Sequence, residues 1–475
     1  MAGNAIRSAI EKSVMKVATF NKDRMAAPAK PNPYLSGVHA PVPAEVEELD
    51  LAVTGTIPES LTGSYLRIGP NPISAQNHAA YHWFIGDGMV HGVRIEGGKP
   101  KWYRNRWIRS THVSEALGEA PKPGPRNGTF ETVNTNVMGH AGEIWALVEA
   151  SANPVRLDAH LNTIAHDPFG GSLKGTFTAH PHLDPATSEL HAICYSGQDQ
   201  TRIFHVVVDA GGTVIRREPI AVKDGPMIHE CMITKNYVII FDLPVTFSKT
   251  RLLKGFDFPY AWNAAHPARV GLLPRTGKGS DVRWYDVAPC AVFHPCNAFE
   301  DDHGDVIVDL CVHDSMFAQS TMGPDSTRIP FERWTLPAAS RTVDRAVLDP
   351  EAQEFPRFNE AMIAQRYRYA YTMALPDGFD AASPTNSRLF KHDLESGTRQ
   401  THEFGTGAVA GEFVFIPAPD AKAEDHGWLM GYVINWGQGT TDLVILNAQD
   451  FAGEPQAVIH IPHHIPPGFH GNWIA

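Results

Sequence analysis

RIFHVVVDAGGTVIRREPI, residues 202–220, is an apolar strand-forming run, then an Asp among small turn residues, then a second strand-forming run. That is the grammar of a β-hairpin. The same order recurs along the chain in LHAICYSG (190–197), NYVIIFDLPV (236–245), DVIVDLCVHD (305–314), SRLFKHDLESGTRQTHEF (387–404) and LVILNAQDFAGEPQAVIHIP (443–462). No long helical segment separates these runs, which argues against a parallel α/β sheet. Predicted helices are confined to short stretches such as 359–367. The reading is all-β, and a β-propeller accounts for both the repetition and the length, because radial blades protect their sheet edges. A propeller also has a central axis at which residues far apart in sequence meet.

Outward from these hairpins, the 475 residues fit one large propeller. The chain holds 40 Gly and 37 Pro, as many tight turns require. Its 43% hydrophobic content is enough for a large core, and a net charge of −12 excludes a broad nucleic-acid surface. The five cysteines, Cys194, Cys231, Cys290, Cys296 and Cys311, form an odd set without a CxxC pair, which suits a reducing cytoplasm. The first residues lack the apolar run of a secretory signal, and no stretch approaches the roughly 18 apolar residues of a spanning helix. Residues 1–35 read as an N-terminal amphipathic helix (5–20) with a Pro-rich linker, and 36–475 as a single propeller domain. The helix carries Ile6, Ile10, Val14 and Val17 at helical spacing beside Arg7, Lys12 and Lys16. It fits either a membrane surface or a docking site on its own domain. A second segment, 249–263, mixes Leu252, Leu253, Phe256, Phe258 and Trp262 with Lys249, Arg251 and Lys254, a composition suited to an interface.

Histidine is the compositional outlier, with 24 in the chain. Four stand in distinctive phrases far apart: His180 in TAHPHLDP, His229 in PMIHECMIT, His294 in VFHPCNAFE and His470 in PGFHGNW. Glu149 in ALVEA, Glu354 in QEFPRF and Glu412 in GEFVFIP stand in equally distinctive ones. The seven look like a metal centre with carboxylates that orient its ligands. No zinc finger or HExxH helix packs ligands locally, so one ligand per blade, directed at the axis, is the natural arrangement. His470 lies five residues from the C-terminus, so the chain end must fold into the core to serve.

At this point the chain resembles the carotenoid cleavage oxygenases. NPYLSGVHAPV (32–42), LTGSYLRIGPNP (61–72), FIGDGMVHGVRI (84–95) and PGFHGNW (467–473) carry the resemblance in order over most of the chain. It implies a seven-bladed propeller whose loops and short helices form a dome over the metal site. It implies Fe(2+) held by His180, His229, His294 and His470, with Glu149, Glu354 and Glu412 behind them and Thr135 of the NTN phrase beside the metal. The implied reaction is oxidative cleavage of a C=C bond to two carbonyls, taking O2 and an apolar alkene. No nicotinamide or phosphate loop is needed or found, and RIGPNP around Gly69 reads as a turn. Phe293 is an expected wall of the substrate tunnel. The phenolic branch of the family commonly has Lys before the first glutamate and a Tyr in the preceding loop. Here that position is Val148, and residues 104–134 contain no Tyr after Arg104, which favours a carotenoid or apocarotenoid over a stilbenoid. Competing readings from other classes are a non-catalytic propeller binding protein and a zinc hydrolase on the same scaffold. A cytoplasmic location with peripheral membrane contact completes the expectation.

Overall fold

The computed structural model describes residues 13–127, 130–375 and 387–475. Seven antiparallel sheets follow one another around an axis as the blades of a propeller. Blade 3, for example, runs His182–Asp184, Glu189–Ser196, Asp199–Val208 and Val214–Ala221 in simple up-and-down order. The opening phrase forms its outer hairpin, with Ile203 opposite Ile220 and Val206 opposite Arg217. The recurring Asp has a local cause. Asp209 Oδ1 accepts from the N–H groups of Gly211 and Thr213, closing the turn, while Gly212 takes φ +80°. Asp301 does the same for His303 and Asp305, and Asp393 for Glu395 and Ser396. Middle strands such as Val306–Cys311 are wholly buried, whereas the outer strand Asp344–Asp349 is exposed over most of its length.

The ring closes with both ends of the chain. Ala52–Gly55 joins Ala457–Ile461 at the outside of blade 7, and Gly471–Ile474 joins Gly63–Pro70 at the inside of blade 1. The second closure corrects the expectation of a turn at RIGPNP. Gly63–Pro70 is a buried eight-residue strand. A Cβ on Gly69 would lie 2.5 Å from Gly468 Cα, so glycine is there because two backbones touch. That contact seats the C-terminal segment, with Phe469 N–H donating to Ile68 O and Ile68 N–H to His470 O.

Long connections on one end build the dome. It contains the short helix Lys249–Lys254 and the two-stranded sheet of Val245–Phe247 with Tyr260–Trp262. The predicted helix at 359–367 is only the 3-10 turn Glu360–Met362. Of the predicted 5–20 helix, residues 13–22 are helical and the rest lies outside the described residues. Its C-terminal end is docked on the dome: Lys22 Nζ meets Asp257 Oδ1 at 2.6 Å, and Asn21 Nδ2 donates to Leu253 O. The Pro-rich segment is also embedded, since buried Asn32 donates to Tyr81 O and Tyr34 stacks on Trp83. The helix end at Asn21 and Lys22, and Asn32 and Tyr34 of the linker, thus pack against the dome.

Candidate metal centre

Each blade begins, at its innermost strand, with one residue of the predicted set. His180, His229, His294 and His470 directly precede or nearly precede the strands His182–Asp184, Cys231–Ile233, Pro295–Glu300 and Gly471–Ile474. Thr135 precedes Asn136–His140, Glu412 precedes Val414–Pro417, and Glu354 is the second residue of Gln353–Phe358. Neighbouring inner strands touch around the axis. Seven residues scattered through the sequence are therefore gathered into one ring, and Glu149 joins them from beyond the second strand of blade 2.

The four histidines are buried, and one ring nitrogen of each lies within 4.8 Å of the others. His229 Nε2 is 3.1 Å from His294 Nε2. Two imidazole nitrogens bound at right angles to one ion, each at about 2.1 Å, are about 3 Å apart, so this spacing fits a shared metal. His180 Nε2 is a buried nitrogen without a protein partner. The opposite nitrogens are fixed: His229 Nδ1 on Glu149 Oε2 at 2.7 Å, His294 Nδ1 on Glu354 Oε2 at 2.5 Å, and His470 Nδ1 on Glu412 Oε1 at 3.0 Å. A carboxylate on Nδ1 sets the tautomer that leaves Nε2 free to bind metal.

The electrostatics agree. Burial, reinforced by the other three rings, holds the pKa of His180 well below the ordinary histidine value, and burial lowers His294. For His229 burial opposes charge, but the Glu149 carboxylate outweighs it and raises the value. Burial would raise Glu412, yet Arg357 and His470 bring it down to about 2. Glu354 is lowered further by His294 and His313 against the same burial. Glu354 and Glu412 are thus held anionic behind their rings, His180 and His294 are held neutral, and the donor set fits a divalent cation.

The centre opens into a cavity of about 1610 Å3. Near the histidines its walls are Phe84, Phe293, Phe355, Phe469, Val148 and Thr135. Thr135 Oγ1 donates to Asn134 Oδ1, and Asn134 is anchored on Phe84 O and Gly86 O, so the threonine is held between dome and axis. Phe293 sets its ring edge-on to His229 at 5.0 Å. The far mouth is lined by Val14, Met15 and Phe20 of the N-terminal helix with Leu252 and Leu253.

Sequence reasoning missed four neighbours of the centre. Tyr195 donates to Glu149 Oε1 at 2.9 Å, and His313 takes Glu354 Oε1 at 2.8 Å. Phe355 stacks on His294 at 5.3 Å with φ +52°, a strained backbone in a non-glycine residue. Glu230 lies below His180. Glu230 and Phe355 had a signal in the sequence, their places next to His229 and Glu354.

The sequence profile of the family described as retinal pigment epithelial membrane protein matches residues 39–475. The carotenoid cleavage oxygenase of Mycobacterium tuberculosis is 40% identical, over 93% of this chain and 97% of its own. This chain is a member of the carotenoid cleavage oxygenase family. Among solved structures, this oxygenase superposes on the Pseudomonas brassicacearum lignostilbene dioxygenase with TM-score 0.82 and 27% identity, covering 94% of this chain and 99% of that one. A variant of the Synechocystis apocarotenoid oxygenase gives 0.81 and 26%, covering 94% and 98%. The oxygenase is accordingly an enzyme with a four-histidine metal site in an alkene-cleaving scaffold.

Proposed function

We propose that this oxygenase is a non-haem iron(II) dioxygenase that cleaves a C=C bond of a carotenoid or apocarotenoid into two aldehydes. The observation that carries the reading is a four-imidazole centre at the end of an aromatic-walled cavity, with apolar Val148 beside Glu149. In this reading His180, His229, His294 and His470 hold the ion, and Glu149, Glu354 and Glu412 orient three of them. Iron would supply the site at which O2 is activated. Four neutral donors leave the ion's full charge in place, unlike a two-histidine-one-carboxylate set. Thr135 and Phe293 shape the space next to the centre. The alkene carbons supply all four electrons that reduce O2, one oxygen atom ending on each carbonyl, so no further reductant enters.

Membrane contact at the far mouth belongs to the same reading, because a polyene partitions into lipid. Phe20 and Leu253 there are 55% and 41% exposed, and Val17 on the same helix is 47% exposed, with Arg24 over the Phe20 ring at 3.5 Å. Among the described residues no helix is long and apolar enough to span a membrane. Five buried, unpaired cysteines support a reducing compartment, the cytoplasm. A stilbenoid substrate is the second reading, favoured by the superposition on the lignostilbene dioxygenase.

The test is a panel of carotenoids, apocarotenals and stilbenes offered to the iron-loaded protein, with oxygen uptake recorded and aldehydes identified by mass. One O2 consumed per two aldehydes from a polyene is expected. Zinc-dependent ester turnover without oxygen uptake would overturn it.

A further inference from the structure

Three carboxylates serve three of the four rings, and His180 is left over. Its Nδ1 has no carboxylate within hydrogen-bond distance. The nearest acid is Glu230, whose Oε2 lies 3.7 Å away. Both side chains are buried, at 7% and 8% exposure.

Two independent features fix this pair. His180 and Glu230 are joined by a parallel backbone bridge, so the entrances to blades 3 and 4 are in register there. The other carboxyl oxygen of Glu230 lies 3.0 Å from Nε2 of His182, a contact without hydrogen-bond geometry that leaves that buried nitrogen unpartnered. His180 and His182 are two apart in extended chain and so share a face, which lets one carboxylate address both rings. A buried carboxylate is costly unless its lone pairs are used. The phrase HEC thus carries His229 of the four-histidine cluster and sets Glu230 beside His180 of the preceding blade.

We propose that Glu230 is the positioning residue for His180, the fourth acid of the centre, packed against His182. A small side-chain rotation, or one bridging water, spans the 3.7 Å. The inference rests on the reading of the four histidines as metal ligands and extends it to a residue that neither ligates metal nor lines the cavity.

The experiment is equilibrium binding of Co2+ to the metal-free full-length protein, by competition with a chromogenic chelator, together with the visible absorption of the Co2+ form. Glu230→Gln should weaken Co2+ binding roughly 10–100-fold and alter the Co2+ bands, with the melting temperature of the metal-free protein unchanged. His180→Ala serves as the reference and should lose the site. Should Glu230→Gln fail to fold, His182→Phe provides the second reading, with a smaller loss of affinity and the same spectral change. Parental affinity and bands in Glu230→Gln (or, where it does not fold, in His182→Phe), while His180→Ala has lost them, would overturn the proposal alone. Parental binding in His180→Ala would overturn the metal-centre reading beneath it.

Discussion

His313 takes the far oxygen of Glu354 at 2.8 Å, opposite the oxygen that holds His294. His313 is itself fixed by Ser326 Oγ at 2.8 Å, and that hydroxyl donates onward to Ser315 O. Glu354 therefore cannot swing without breaking a chain of bonds that reaches into the loop after blade 5's second strand. His313→Phe keeps the bulk and removes the bond, so it should lower metal affinity several-fold. Glu354→Gln acts on the ligand directly and should cost about 10–100-fold. Metal retained against a fixed chelator concentration measures both; a larger loss in His313→Phe than in Glu354→Gln would reverse the assignment.

His470→Ala should abolish both bound metal and turnover. Its two nearest histidine substitutes in sequence are committed elsewhere: His463 Nε2 to Glu48 at 2.7 Å and His464 Nε2 to Val38 O at 3.0 Å. Metal analysis of the purified variants checks this. His463→Ala and His464→Ala should retain metal at the parental ratio, and metal kept by His470→Ala would remove that residue from the ligand set.

What could be read from sequence depended on how local its cause was. The turns at Asp209, Asp301 and Asp393 close on their own backbone, so the hairpins were legible. The pairing of Gly471–Ile474 with Gly63–Pro70 is set by contacts across the whole chain, and RIGPNP looked like a turn for that reason. Its Gly69 answers to Gly468, not to its neighbours. At the centre, distinctive phrases singled out the four histidines and three glutamates. His313 and Tyr195 sit in ordinary strand-like phrases, and only the fold brings them to Glu354 and Glu149.

Stability should carry a pH signature at His266, remote from the metal. Its ring is buried between Asp242 Oδ1 at 2.8 Å and Asp224 Oδ2 at 3.0 Å. Burial disfavours its charge, but the two carboxylates prevail and raise its pKa. A raised histidine stabilises the fold fully below its unfolded value, near 6.5, and the contribution fades as pH rises through the folded value. His266→Gln should therefore lower the apparent melting temperature more at pH 5.5 than at pH 9. Melting curves at one scan rate across that range decide it; a penalty independent of pH would assign His266 a packing role only.

The expected preference for a polyene rests on Val148. It lines the cavity immediately before Glu149, and its side chain packs against the apolar cluster that includes Ile68 and Val137. A phenolate there would meet a methyl surface with no donor, whereas a polyene loses nothing. The parent enzyme should show a higher kcat/KM for an apocarotenal than for a 4-hydroxystilbene, since that ratio compares transition states directly. Val148→Lys would bury an ammonium group among apolar side chains. It should reduce kcat/KM for the polyene by about tenfold or more and shift the ratio toward the phenol. Competition between the two substrates in one vessel, with aldehydes counted by mass, makes the comparison. Faster cleavage of the hydroxystilbene by the parent would assign the cavity to phenolic alkenes and require a phenol-binding group other than residue 148.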